Sequence, residues 1–242
     1  MQYPRLDVTP IKEIIFSISH NEIVESQCFE KFIVIDAIKK RFEENVPSFV
    51  KSIDISNKNI KLGTQKSGYR LQGNNEVIQL RTGSMSYHFL NGYCDYSQML
   101  ENILDFWKAL NSVTKEKLNV NSVSVRYIND IEVDEDNPES RLIQVYPRQS
   151  SDREIKTFQN LVSFSYKNLP QYNVTAVSTK PNDKRLLLDI TVTNAIQNPQ
   201  LTPELLRDQF LPLQEVKNRV FYDSITAKAL LRYLKTNQND NT

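Results

Sequence analysis

Val120-Asn121-Ser122-Val123-Ser124-Val125-Arg126-Tyr127-Ile128-Asn129-Asp130-Ile131-Glu132-Val133 reads as one long β-strand, and its polar residues organise the reading of the rest of the chain. Side chains alternate between the two faces of a strand. Val123, Val125, Tyr127, Asn129, Ile131 and Val133 therefore share one face, and Ser122, Ser124, Arg126, Ile128 and Asp130 share the other. Asn129 sits among apolar neighbours, where an amide without partners would cost about 1–3 kcal/mol. Either that amide is hydrogen-bonded or this face opens onto something. Arg126 and Asn129 point in opposite directions, so this strand alone cannot bring them into one site.

Working outward, residues 13–20 alternate as a strand, and Pro10 marks where it can begin. Phe29, Phe32, Ile33 and Ala37 form a stripe predicting a helix over about 26–44, ended by Pro47. Strands are expected near 52–57, 68–72, 76–82 and 85–91, punctuated by glycines and by Asn74-Asn75. Leu100, Ile103, Leu104, Trp107 and Leu110 predict a helix over 97–113, with Asp95 and Gln98 spaced for a capping box. After the opening strand, further strands are expected near 142–146, 157–167, 172–179 and 185–194. Thr202-Pro203-Glu204 starts a helix that Pro212 is expected to divide, continuing over 213–224 to a short last helix through Leu230, Leu231 and Leu234. The order predicts an α+β chain of two similar antiparallel meanders, each with helices on one face, over residues 1–115 and 116–236. C-terminal helices and a disordered tail at 237–242 complete it.

Composition narrows the function classes. The 242 residues carry 30 basic and 29 acidic side chains, so no global charge draws the protein to nucleic acid or membrane. No apolar run approaches the roughly 18 residues a membrane span requires, and the start lacks a secretory pattern, so the expected location is the cytoplasm. Cys28 and Cys94 suggest core thiols rather than a disulfide framework or zinc site. The five glycines all fall between Gly63 and Gly92, spaced like hairpin punctuation, so no P-loop, dinucleotide fingerprint or nucleophile elbow is present. No cofactor is implied.

Val125-Arg126-Tyr127-Ile128-Asn129, Pro10 to Ile15, and Phe221 to Thr226 together resemble a sporadically distributed family of uncharacterised bacterial proteins of about this length. That family has a central Leu-Arg-Tyr-Ile-Asn-like strand, a Pro-Pro-x-x-Glu-like start and a terminal amphipathic helix followed by Ile-Thr. Here Val125 replaces the leucine, Thr9 the first proline, and Ser122 an arginine common in the family. The resemblance implies a bacterial or phage-related origin and supplies no catalytic residue.

Arg126, Tyr127 and Asn129 are the candidates for ligand or partner binding. A strand guanidinium more often ties neighbouring elements together than holds a ligand, and a strand asparagine often holds a bulge. Between residues 51 and 93, Lys58, Lys61, Lys66, Arg70 and Arg81 alternate with Tyr69 and Tyr87, the residue types of a single-stranded nucleic-acid platform. The acidic run from Asp130 to Glu139 lacks the glycine of a calcium loop, so it reads as solvated loop. His20 and His88 fit no metal-ligand spacing, and a His88–Cys94 dyad lacks a third partner. The expectation is a non-enzymatic protein-interaction component, antitoxin-like or accessory to a bacterial defence module. The alternative is a single-stranded nucleic-acid-binding protein using the meander 51–93.

Overall fold

The computed structural model describes residues 3–4, 6, 8–56, 59–133, 142–144, 157–182, 184–197 and 201–234. Its strands are β1 (Ile11–His20), β2 (Glu44–Ser56), β3 (Asn59–Gln72), β4 (Glu76–Arg81), β5 (Ser84–Leu90), β6 (Val120–Glu132), β7 (Phe158–Tyr166), β8 (Leu169–Asn182) and β9 (Arg185–Ala195). Its helices are α1 (Ser26–Ile33), α2 (Asp36–Arg41), α3 (Tyr96–Val113), α4 (Pro203–Ser224) and α5 (Ala227–Leu230), with a 3-10 turn at Leu231–Tyr233. The chain is mixed α+β. Instead of two separate sheets, nine strands form one antiparallel sheet in the order β2-β3-β4-β5-β1-β6-β9-β8-β7. β1 and β6 pair with each other at its centre, so neither leaves a row of unmet backbone groups at an edge.

The helices lie on one face of this sheet. Phe16 of β1 touches both Tyr96 of α3 and Phe210 of α4, and Tyr69 of β3 meets Phe29 of α1. The register Tyr69–Leu80–Met85–Ile18 runs across β3, β4, β5 and β1 and puts these side chains on that same face. One hydrophobic cluster continues along it through Val125, Tyr127, Ile190, Leu188 and Val174. α3 buries Met99, Leu100, Ile103 and Leu110 almost completely, each worth about 1.5–3 kcal/mol relative to exposure. Among the described residues no helix lies on the other face, which is rich in Ser, Thr and Gln, although Ile15, Val77 and His88 on it are buried.

Several local expectations change. The helix over 26–44 is two helices, because Ile33-Val34-Ile35 is a β-branched run and Ile35 turns extended, with ψ 126°. β2 starts at Glu44 and runs through Pro47, which an edge strand tolerates because no neighbour needs its N–H. α4 is continuous through Pro212; the Asp208 carbonyl freed there lies on the exposed side, where water can meet it. Gly68 is inside β3 rather than at a turn, and a Cβ there would stand 1.8 Å from the Leu80 carbonyl. Of the expected strand near 142–146 the described residues are 142–144, which hold an Ile143–Ile225 bridge; residues 145–146 and the tail 237–242 lie outside the described residues. Among the described residues no helix is long and apolar enough to cross a membrane.

Candidate ligand cavity

β6 has the two-faced character read from its sequence, with buried residues alternating with half-buried or exposed ones from Ser122 to Glu132. Asn129 is 3% exposed, and its amide donates to the carbonyls of Leu188, at 3.0 Å, and Tyr127, at 3.4 Å. It stands beside an irregularity where the β1–β6 register shifts between Ile11 and Glu13. The Asp130 N–H donates to the Pro10 carbonyl at 2.7 Å, so the chain before β1 is carried past Asn129.

That segment roofs a cavity of about 620 Å³, within the usual range of small-molecule sites. Tyr127 and Asn129 line it from β6, with Tyr93, Asp95 and Tyr96 at the start of α3. Gln214, Lys217, Asn218, Phe221 and Tyr222 line it from α4. Tyr3 stacks on Tyr222, centroids 4.6 Å apart and planes within 3°, and the Tyr222 hydroxyl donates to the Pro4 carbonyl at 2.6 Å. The Tyr96 hydroxyl donates to the Phe210 carbonyl at 2.6 Å and ties α3 to α4 behind the cavity.

Lys217 is the charged centre of this space. Leu206, Phe210, Leu213, Lys217 and Val220 follow one another at spacings of three or four residues, so the lysine occupies a place in the apolar stripe of α4. Its ammonium lies 4.0 Å from the centroid of the Tyr127 ring, a cation–π contact. It is half-buried, and burial pushes its pKa down to about 8. Among the described residues no carboxylate pairs with it. Asp95 also lines the cavity, but it accepts the Ser97 N–H at 2.8 Å as the N-cap of α3. Burial holds the Tyr127 hydroxyl protonated far into the alkaline range, so it remains a donor. A protonated amine, phenol hydroxyls and side-chain amides beside aromatic rings suit a planar group carrying negative charge.

Arg126 is on the face away from the helices and forks onto Asp189, with Nε to Oδ1 at 2.9 Å and Nη2 to Oδ2 at 2.5 Å. The structure brings Tyr127 and Asn129 together at the cavity and keeps Arg126 across the sheet from them. The nucleic-acid residues separate in the same way. Tyr69 and Tyr87 are buried on the helix side, at 7% and 1% exposure, whereas Arg70 and Arg81 are exposed on the other side. Lys66 pairs with Glu30 at 3.0 Å and with the Tyr69 hydroxyl. Tyr87 belongs to a polar cluster in which Arg41 forks onto Glu76 at 2.7 and 2.6 Å. Lys58 lies outside the described residues, and for Lys61 only the backbone pairing with Asp54 is described.

His88 sits between Glu13, at 2.7 Å from Nδ1, and Ser86, at 2.9 Å from Nε2, rather than beside Cys94. The order Ser–His–Glu is that of a charge relay. It stands on the face away from the helices, where β5 is hydrogen-bonded to β4 on one side and β1 on the other. The backbone N–H groups of these strands are thus used in ladders, and among the described residues they offer no oxyanion hole. The acidic run keeps Asp130, paired with Arg185 at 3.1 Å, and Glu132 in view; Asp134 to Glu139 lie outside the described residues. Among the described residues no group of three or more His, Cys, Asp or Glu is placed to hold a metal ion.

No family model matches this chain, and no curated protein matches it. Of the cavity residues, sequence reasoning selected Tyr127 and Asn129 and missed Lys217. The available signal was a lysine standing at a stripe position of an otherwise amphipathic helix.

Proposed function

We propose that this protein works by binding, as an accessory component that recognises a small anionic ligand in the cavity between β6, α4 and the residues before β1. The observation that carries this reading is Lys217: a half-buried ammonium lining a cavity, set over an aromatic ring and, among the described residues, not paired with any carboxylate. Holding such a charge out of water is unfavourable until a counter-charge arrives, so the fold keeps a binding energy in reserve. The class of ligand is a planar carboxylate or phosphate ester, its anion at Lys217 and its body among Tyr3, Tyr93, Tyr127 and Tyr222.

Calorimetric titration of the full chain with phenyl phosphate and with benzoate at pH 7 tests this. Binding of at least one probe is expected, reduced tenfold to a hundredfold in Lys217→Met. Failure of both probes to bind, or undiminished binding to Lys217→Met, overturns it. The protein-partner reading drawn from the sequence has an observation of its own, at the far edge of the sheet.

A further inference from the structure

The two edges of the nine-stranded sheet are built differently. β2, at one edge, carries Glu44, Pro47, Lys51 and Asp54 in its sequence, and its pairing with β3 shifts register between Ser48 and Phe49. Charges, proline and irregular pairing are the devices that stop an edge from recruiting another strand. β7, at the other edge, reads Phe158-Gln159-Asn160-Leu161-Val162-Ser163-Phe164-Ser165-Tyr166, with no charged residue and no proline. It pairs with β8 in unbroken register from Phe158 to Phe164. Its centre is exposed on both faces at once, Leu161 by 60% and Val162 by 41%. Among the described residues no strand pairs with the outer side of its stretch from Leu161 to Tyr166.

We propose that β7 is a dimer interface, at which the same strand of a second copy pairs antiparallel with it and joins two sheets into one. An uncharged strand can pair with itself without setting like charges opposite each other. Pairing β7 with the β2 edge of another copy would make an open chain of molecules, and the charges and proline of β2 oppose that. What is left is the closed two-fold contact, in which one surface meets itself. With the axis at Val162, the two Val162 side chains meet on the helix side. Leu161 of each copy then lies opposite Ser163 of the other, and Asn160 opposite Phe164. Backbone hydrogen bonds along the strand supply affinity, and the apolar centre sets the register.

Sedimentation velocity on the full chain at micromolar concentration is the test. The expected species is a dimer of about 56 kDa, twice the 28.2 kDa chain. Val162→Lys places two ammonium groups at the axis and should weaken the dimer at least a hundredfold, giving a monomer with an unchanged circular dichroism spectrum. Phe49→Lys, on β2, should leave the dimer intact. Val162→Cys should form a disulfide-linked dimer under mild oxidation that the parent chain does not form, which decides the matter even if the lysine variant does not fold. A monomeric parent chain, a folded Val162→Lys dimer, or no cross-link through Cys at position 162 each overturns the interface.

Discussion

The central strand β6 has a cation on each side of it, and the two are held in opposite ways. On the face away from the helices Arg126 is met by Asp189, which fills its guanidinium fork. On the helix side Lys217 rests on Tyr127 and faces a cavity. A paired charge in a ladder fixes one strand against the next. An unpaired charge beside a cavity is a cost that a ligand can offset. The difference separates the part of β6 that holds the sheet together from the part that can recognise something else.

Several experiments would break or sharpen that contrast. The largest effect is expected on binding: Lys217→Met should cost phenyl phosphate about 1.5–3 kcal/mol, the worth of a charge-assisted hydrogen bond, while Asp189→Asn should leave the affinity unchanged. Equal losses in both variants would erase the distinction between the faces. Next comes Asn129→Ala, which removes the amide donating to Leu188 and Tyr127 and should destabilise the fold by about 2 kcal/mol in urea denaturation.

The pH dependence has a defined sign. In the fold the Lys217 pKa is about 8, below its usual range, so between pH 8 and about 10.4 the unfolded chain holds a proton that the folded chain has released. This group's contribution to stability therefore rises with pH across that window. Urea denaturation at pH 8, 9 and 10 should show the rise relative to Lys217→Met, and parallel profiles for the two proteins would refute it. At pH 7 Lys217→Met should itself be more stable by about 1 kcal/mol, or about 2–4 °C in Tm, because the desolvated charge is gone. Asp189→Asn should do least, under about 1 kcal/mol and less still in concentrated salt, since Arg126 is substantially exposed.

Much of this was legible in the chain because it depends on period and on local chemistry. Strand alternation placed Arg126 and Asn129 on opposite faces, and Thr202 with Pro203 marked the start of α4, where the Thr202 hydroxyl accepts the Leu205 N–H at 3.3 Å. Other features depended on surroundings a local pattern does not contain. No helix reaches Pro47, as its sequence predicts, but the chain is already extended from Glu44 and an edge strand accommodates the proline. Pro212 is a sequence signal for a break, but α4 runs on through it, and Asp208, whose carbonyl it frees, is an exposed residue. Tyr69 and Tyr87 looked like partners of Arg70 and Arg81, yet alternation along β3, and the pairing of β3 with β4 and of β4 with β5, sends the rings inward and the cations outward.

By itself the sequence determined the α+β class, the helix α3, the start of α4 and the two-faced nature of β6, because hydrophobic period and capping act over a few residues. Tertiary structure decided that β1 and β6 join all nine strands into one sheet. It also decided that Lys217, 90 residues after Tyr127 in the chain, lies over that ring beneath a roof made by the first residues. Whether a charge has a partner depends on which distant segments meet around it, and that is settled only when the chain closes on itself.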